Sequence, residues 1–167
     1  MVRIFFLVSL IFLSACAQIP DAPALTTNAI IEIYNKNGDV EGLVLIERNG
    51  YPFGKSLPGG KIEYGEKLET AIRRLVKAQV DMELMDIKQF HAYSSPIRDP
   101  NYHAIEITVL ARGIGTPRSS REALNAAVVP LKDIPWGKFA QDKERILRDY
   151  LDYQQGKRTK VIWIPTL

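Results

Sequence analysis

The stretch LPGGKIEYGEKLETAIRRLVKAQVDM, Leu57 to Met82, decides the fold. It opens as a loop, with Pro58, Gly59, Gly60 and Gly65 close together. Glycines let backbone amides approach a phosphate closely, most readily where a helix follows. From Glu66 to Val80 there is neither glycine nor proline, and Leu68, Ala71, Ile72, Leu75 and Val76 recur at helical spacing. Glu66 and Glu69 near the start, with Arg73, Arg74 and Lys77 later, suit the helix dipole. Such a helix can also present ligands at i, i+3 and i+4 on one face, as a magnesium site for phosphate chemistry requires.

Strands surround this unit. Ala29 to Tyr34 (AIIEIY) and Glu41 to Arg48 (EGLVLIER) are β-branched and apolar, with an Asn37-Gly38 turn signal between them. Leu84 to Tyr93 and His103 to Arg112 are strand-like and joined by the polar loop Ser94 to Tyr102; Ala126 to Leu131 reads as a further strand. Phe139 to Gln155 reads as an amphipathic helix, with Phe139, Ile146, Leu147, Tyr150 and Leu151 on one face. The basic-then-apolar tail, Lys157 to Leu167, is expected to add a strand or to dock on the body, and otherwise to meet a partner or a membrane.

The 167 residues suffice for one domain with a core, at 46% hydrophobic and 25% charged residues. A formal charge of +3 without a Lys/Arg block argues against a nucleic-acid partner. Residues 1–17 read differently. A basic MVR, the apolar run IFFLVSLIFL and the small-residue exit SACA have the order of an export signal, short of the ~20 residues a membrane span needs. LSAC, Leu13 to Cys16, resembles the bacterial lipobox, so residues 1–16 are expected to be a lipoprotein signal with Cys16 as the lipidation site. Ordinary cleavage after Ala17 and an uncleaved anchor are the alternatives. Ala17, in place of an aspartate, resembles the pattern of outer-membrane lipoproteins facing the periplasm. Residues 17–27, with two prolines, read as a tether, and 28–167 as the domain. Cys16 is the single cysteine, so no disulfide can form within the chain.

GKIEYGEKLETAIRRLVKAQVDM, Gly60 to Met82, resembles the Nudix box, G-x5-E-x7-R-E-U-x-E-E-x-G-U with U apolar. Gly60, Glu66, Arg74, Val76 and Met82 match; Gly59, Glu63 and Gly65 suit a looser GGxxExGE form. Ser94 to Ala111 resembles the segment after the box in ADP-ribose-type members, with Pro96 near the proline that marks them, and Pro130 to Leu151 resembles their final loop and helix. The resemblance implies a single α/β/α sandwich with a mixed sheet. It also implies magnesium-dependent hydrolysis of nucleoside diphosphate derivatives such as ADP-ribose, often in a homodimer.

The same stretch departs from the pattern. Leu75, Ala78 and Gln79 stand where the resemblance places three glutamates, and Asp81 where it places a glycine. Changes behind metal ligands cost 10–100-fold, so three lost ligands imply at least ~10³-fold. Glu66 remains as the candidate metal ligand, and Glu66 and Glu122 as the acids left for catalysis. Gly59, Gly60, Glu63, Arg74 and Arg98 are the candidate ligand-binding residues; for Arg74 a loop-bracing salt bridge is an equal expectation. His91 and His103 read as packing or surface residues, since metal sites come as spaced clusters. Three functions stay open: a non-catalytic, lipid-anchored binding protein for a nucleotide-like or other anionic small molecule; a residual magnesium-dependent hydrolase; and a protein-interaction scaffold.

Overall fold

The computed structural model describes residues 22–157. Residues 1–16, expected as a lipoprotein signal with Cys16, the first part of the expected tether and the tail from residue 158 lie outside the described residues. Elements run β1 (Ala24–Tyr34), β2 (Val40–Arg48), β3 (Lys55–Ser56), β4 (Gly59–Lys61), α1 (Leu68–Val80), β5 (Glu83–Tyr93), β6 (Ala104–Ile114), β7 (Ala123–Val129) and α2 (Lys143–Gln154), with a 3-10 turn at Leu131–Asp133.

The strands form one mixed sheet in the order β3-β2-β1-β6-β5, with β4 on β1 and β7 on β2. β1 runs parallel to β6 from Ala24↔Ala104 to Glu32↔Arg112. Its C-terminal part pairs antiparallel with β2 and its N-terminal part with β4. Side chains alternate across a strand, so a central strand covered on both faces is apolar throughout. Ala29 and Ile31 of β1, Val44 and Ile46 of β2, and Val109 and Ala111 of β6 pack with Ile72, Val76 and Val80 of α1. Ile30, Leu43 and Leu45 pack on the opposite face with Ile146, Leu147 and Tyr150 of α2. The result is the expected α/β/α sandwich.

Several boundaries differ from the sequence reading, and two of the shifts bear on the core and the cleft. β1 begins at Ala24, four residues inside the expected tether. Proline-free from Ala24 on, LTT can join the ladder; Thr27 is fully buried and its hydroxyl donates to the Ile107 carbonyl at 2.8 Å. α2 begins at Lys143 rather than Phe139. The preceding residues are drawn onto β3 instead, where Lys55 N–H donates to Lys138 O and Ala140 N–H to Lys55 O.

Candidate functional site

The glycine loop is pinned from two sides. Gly59 pairs with Asn28 of β1, and a Cβ on residue 59 would lie 2.3 Å from the Thr27 carbonyl oxygen. Only glycine fits there without moving backbone. Further along, Arg74 grips Glu66 with two prongs, Nε to Oε1 at 2.8 Å and Nη2 to Oε2 at 2.7 Å. Glu66 Oε2 also accepts the Glu63 N–H at 3.0 Å, and the Glu66 N–H donates to the Glu63 carbonyl at 3.0 Å. The Arg74 guanidinium, then the Glu63 amide, hold the Glu66 carboxyl down at about 2. Arg74 therefore braces the loop, and Glu63 contributes its backbone. Glu66, the expected metal ligand, has both oxygens occupied by this brace.

The face of α1 that would carry ligands is closed by its own side chains. Gln79 forms a two-point clasp on Gly59: the Gly59 N–H donates to Gln79 Oε1 at 2.9 Å, and Gln79 Nε2 donates to Gly59 O at 2.9 Å. Leu75 is buried against Gly60, where an added Cβ would meet Leu75 Cδ2 at 3.0 Å. Ala78 is exposed and offers no donor atom. Asp81 ends the helix in the left-handed region, φ 54°, the conformation that favours glycine after a helix, and pairs with Lys77 at 2.8 Å. Arg73 bonds Glu69 and the Leu84 carbonyl. The three cations of α1 are thus all engaged within the chain. Among the described residues no group of three or more His, Cys, Asp or Glu side chains is placed to hold a metal ion. The side chains present do not fit a resident magnesium ion.

Beside the loop lies a cleft of about 460 Å³, lined by Gly59, Gly60, Lys61, Tyr102, Arg121 and Glu122 among others. A deeper recess of about 60 Å³ adjoins it through Gly59, Gly60, Arg48 and Tyr102 and reaches Asn28, Glu106 and Lys143. The Lys61 ammonium stands 5.0 Å above the Tyr102 ring, a cation–π contact at the shared wall.

The wall of the recess is a buried ion network. Lys143 Nζ lies 2.7 Å from each oxygen of Glu106. Arg98 Nη2 donates to Glu106 Oε1 at 2.6 Å, and Arg98 pairs in parallel with Asp142 at 2.8 and 2.9 Å. Asn28 Nδ2 also donates to Glu106 Oε1. Burial pushes the Lys143 ammonium down in pKa; the Glu106 charge opposes that shift. Arg98, expected either as a ligand contact or as part of a structural Arg–Asp turn, is 7% exposed and spends its guanidinium on Glu106 and Asp142. Its neighbour Asp99 accepts from the Asn101 N–H and from Gln141.

Gly59 and Gly60 line both cavities, Arg98 the recess, and Glu122 the outer cleft; Glu63, Glu66 and Arg74 line neither. His103 leans on the Ser94 carbonyl at 3.3 Å, and His91 packs between the Phe90 and Tyr93 rings. Sequence reasoning missed Asn28, Arg48, Tyr102, Glu106 and Lys143. One signal was available: Glu106, Thr108 and Leu110 share one face of an otherwise apolar strand, so a charge there required a buried partner.

Sandwich, braced glycine loop and adjoining cleft make up a hydrolase-like frame. The chain belongs to the NUDIX domain family, whose model matches residues 25–150. It is 34% identical over 137 residues to an ADP-ribose pyrophosphatase of Methanocaldococcus jannaschii, covering 80% of this chain and 76% of that protein. Among solved structures it resembles the NUDIX domain of Shewanella oneidensis NrtR complexed with ADP ribose, at TM-score 0.70 and 20% identity, over 80% of this chain and 89% of that one. It also resembles a MutT/nudix family protein of Enterococcus faecalis, at TM-score 0.68 and 23% identity; there it covers 80% of its own length and spans 63% of the other chain.

Proposed function

We propose that this domain binds a nucleotide-like, anionic small molecule in the cleft beside Gly59 and Gly60 without a resident metal and without hydrolysing it. The observation that carries the reading is the clasp of Gln79 on Gly59, 2.9 Å in both directions. A glutamate in its place would turn acceptors toward the Gly59 carbonyl; glutamine satisfies that loop with no cation. Leu75 against Gly60 supports the same reading, since an apolar side chain fills the neighbouring ligand position. The cleft offers Lys61, Arg121 and Arg48 to an anion, and Tyr102 to a flat ring. The test is isothermal titration and thermal shift of the domain with ADP-ribose in EDTA. Saturable stabilisation without turnover supports the reading. Brisk magnesium-dependent release of AMP overturns it.

A second reading is hydrolysis of nucleoside diphosphate derivatives such as ADP-ribose. The specific observation in its favour is the 34% identity to an ADP-ribose pyrophosphatase. It requires turnover that disappears in Glu66→Gln. The scaffold reading requires neither binding nor turnover, and co-purification of a partner that depends on the tail.

We also propose that the chain is exported, lipidated at Cys16 and held at the periplasmic face of the outer membrane, on the strength of MVR, the apolar run and LSAC. Labelled palmitate should enter the full chain and not Cys16→Ala; a soluble chain starting at Gln18 in mass spectrometry would exclude it. Association as a homodimer is part of the same proposal, and sedimentation of the domain tests it.

A further inference from the structure

Two polar atoms in the wall of the recess have nothing to bond. Asn28 is 1% exposed, and its Oδ1 has no hydrogen-bond partner among the described residues. Arg48 Nε is buried and equally unpaired. Both residues line the 60 Å³ recess. The Asn28 amide cannot be turned round to relieve its oxygen. Its Nδ2 faces the Glu106 carboxylate, which already receives Lys143 and Arg98 and has only acceptors to offer. Reversal would set oxygen against oxygen. Asn28 Oδ1 is therefore a committed acceptor, and Arg48 Nε a committed donor, in the wall of one small space.

Buried polar atoms left unpaired are costly and few, and a ligand that completes them gains what they lack. A recess of about 60 Å³ holds a few waters or one small polar group, and is too small for a whole nucleotide. The adjoining 460 Å³ cleft, with Lys61 and Arg121, has room for the rest.

We propose that Asn28 and Arg48 read one edge of the ligand, a group presenting an N–H donor beside an acceptor, while its anionic part lies in the outer cleft. A primary amide and an aminopurine edge share that chemistry. This rests on the binding reading above and narrows its ligand class. Asn28 Oδ1 accepts from the amino or amide N–H, and Arg48 Nε donates to the neighbouring ring nitrogen or carbonyl oxygen. A ligand without the N–H leaves Asn28 as it stands in the free protein.

Affinities in EDTA for two matched pairs test this. The first pair is AMP against purine riboside monophosphate, which lacks the amino group. The second is nicotinamide mononucleotide against its nicotinic acid counterpart. The member bearing the N–H should bind about tenfold tighter or more in one pair, and which pair does so identifies the source. Asn28→Ala should bring that ratio toward one by weakening the preferred member more than the other, a split that general loosening of the fold would not produce. Arg48→Met, at a less buried position, should lower the same ratio. Ratios within twofold in both pairs overturn the proposal, as does a preference that survives Asn28→Ala. If no member of either pair binds, the reading of the cleft itself fails.

Discussion

Glu66 and Arg74, eight positions apart, meet in a bidentate ion pair that closes the loop ahead of α1 onto the helix. The Glu66 side chain is 11% exposed, covered by its own loop rather than by the core. The Arg74 guanidinium holds its carboxyl at about 2, against an unfolded value near 4.3. A depressed carboxyl contributes stability that is complete above the unfolded pKa and lost as pH falls through the folded one. Unfolding in urea should therefore become easier between about pH 5 and pH 2, and Glu66→Gln should flatten part of that slope, its loss of stability being largest at pH 7 and fading toward pH 2. A Glu66→Gln profile parallel to the parent's would show that the pair does not form in solution.

Gln79 clasps Gly59 with two hydrogen bonds, so Gln79→Ala should cost about 2 kcal/mol, near 1 for each. A more informative variant is Leu75→Glu, Ala78→Glu and Gln79→Glu together. Three carboxylates on one helical face should lower the melting temperature in EDTA and restore it by several degrees in millimolar magnesium. The parent domain should not respond to magnesium alone. A magnesium response in the parent would refute the account of this face given above.

Glu106 balances two buried cations, Lys143 and Arg98. Removing one partner of a buried ion pair costs far more than replacing the whole pair. Glu106→Gln should destabilise by roughly 3–5 kcal/mol in urea titration. Glu106→Leu combined with Lys143→Met should recover part of that loss, since Arg98 keeps Asp142.

The two box-loop glycines should respond very differently to alanine. At Gly59 the new methyl meets the Thr27 carbonyl oxygen at 2.3 Å and the Asn28 Cα at 2.6 Å, all part of a central strand. At Gly60 it meets the end of the Leu75 side chain at 3.0 Å, which can turn aside. Gly59→Ala should cost about 2–3 kcal/mol or more, and Gly60→Ala less than about 1, as differential scanning calorimetry would resolve.

Much of the sandwich was legible because local signals sufficed. The proline-free helix Glu66–Val80 appears as Leu68–Val80, and AIIEIY and EGLVLIER, read as strands, fall within β1 and β2. Helical spacing places Leu75, Ala78 and Gln79 on the ligand face, but not what they do there. That Gln79 would clasp Gly59, 20 positions earlier, depends on how the loop crosses the helix. The recess was illegible for a related reason. Asn28 reaches Glu106 across 78 positions, through the register of two parallel strands, and Lys143 reaches it from the far helix. The partners of Arg98 were illegible because they come from elsewhere in the chain: the start of α2 and strand β6 both turn carboxylates onto it.

The parallel pairing of β1 with β6 governs how this chain can be born. Ala24 waits for Ala104, some 80 residues behind it. At roughly 5–20 residues per second, the central strand stays without its main neighbour for about 4–16 s of synthesis. Both its sides are sticky throughout that interval, because Ala29, Ile30 and Ile31 feed opposite layers. In cell-free translation of residues 17–167 alone, holdase chaperones should therefore engage chains that end before residue 104 and let go of chains that extend past residue 114.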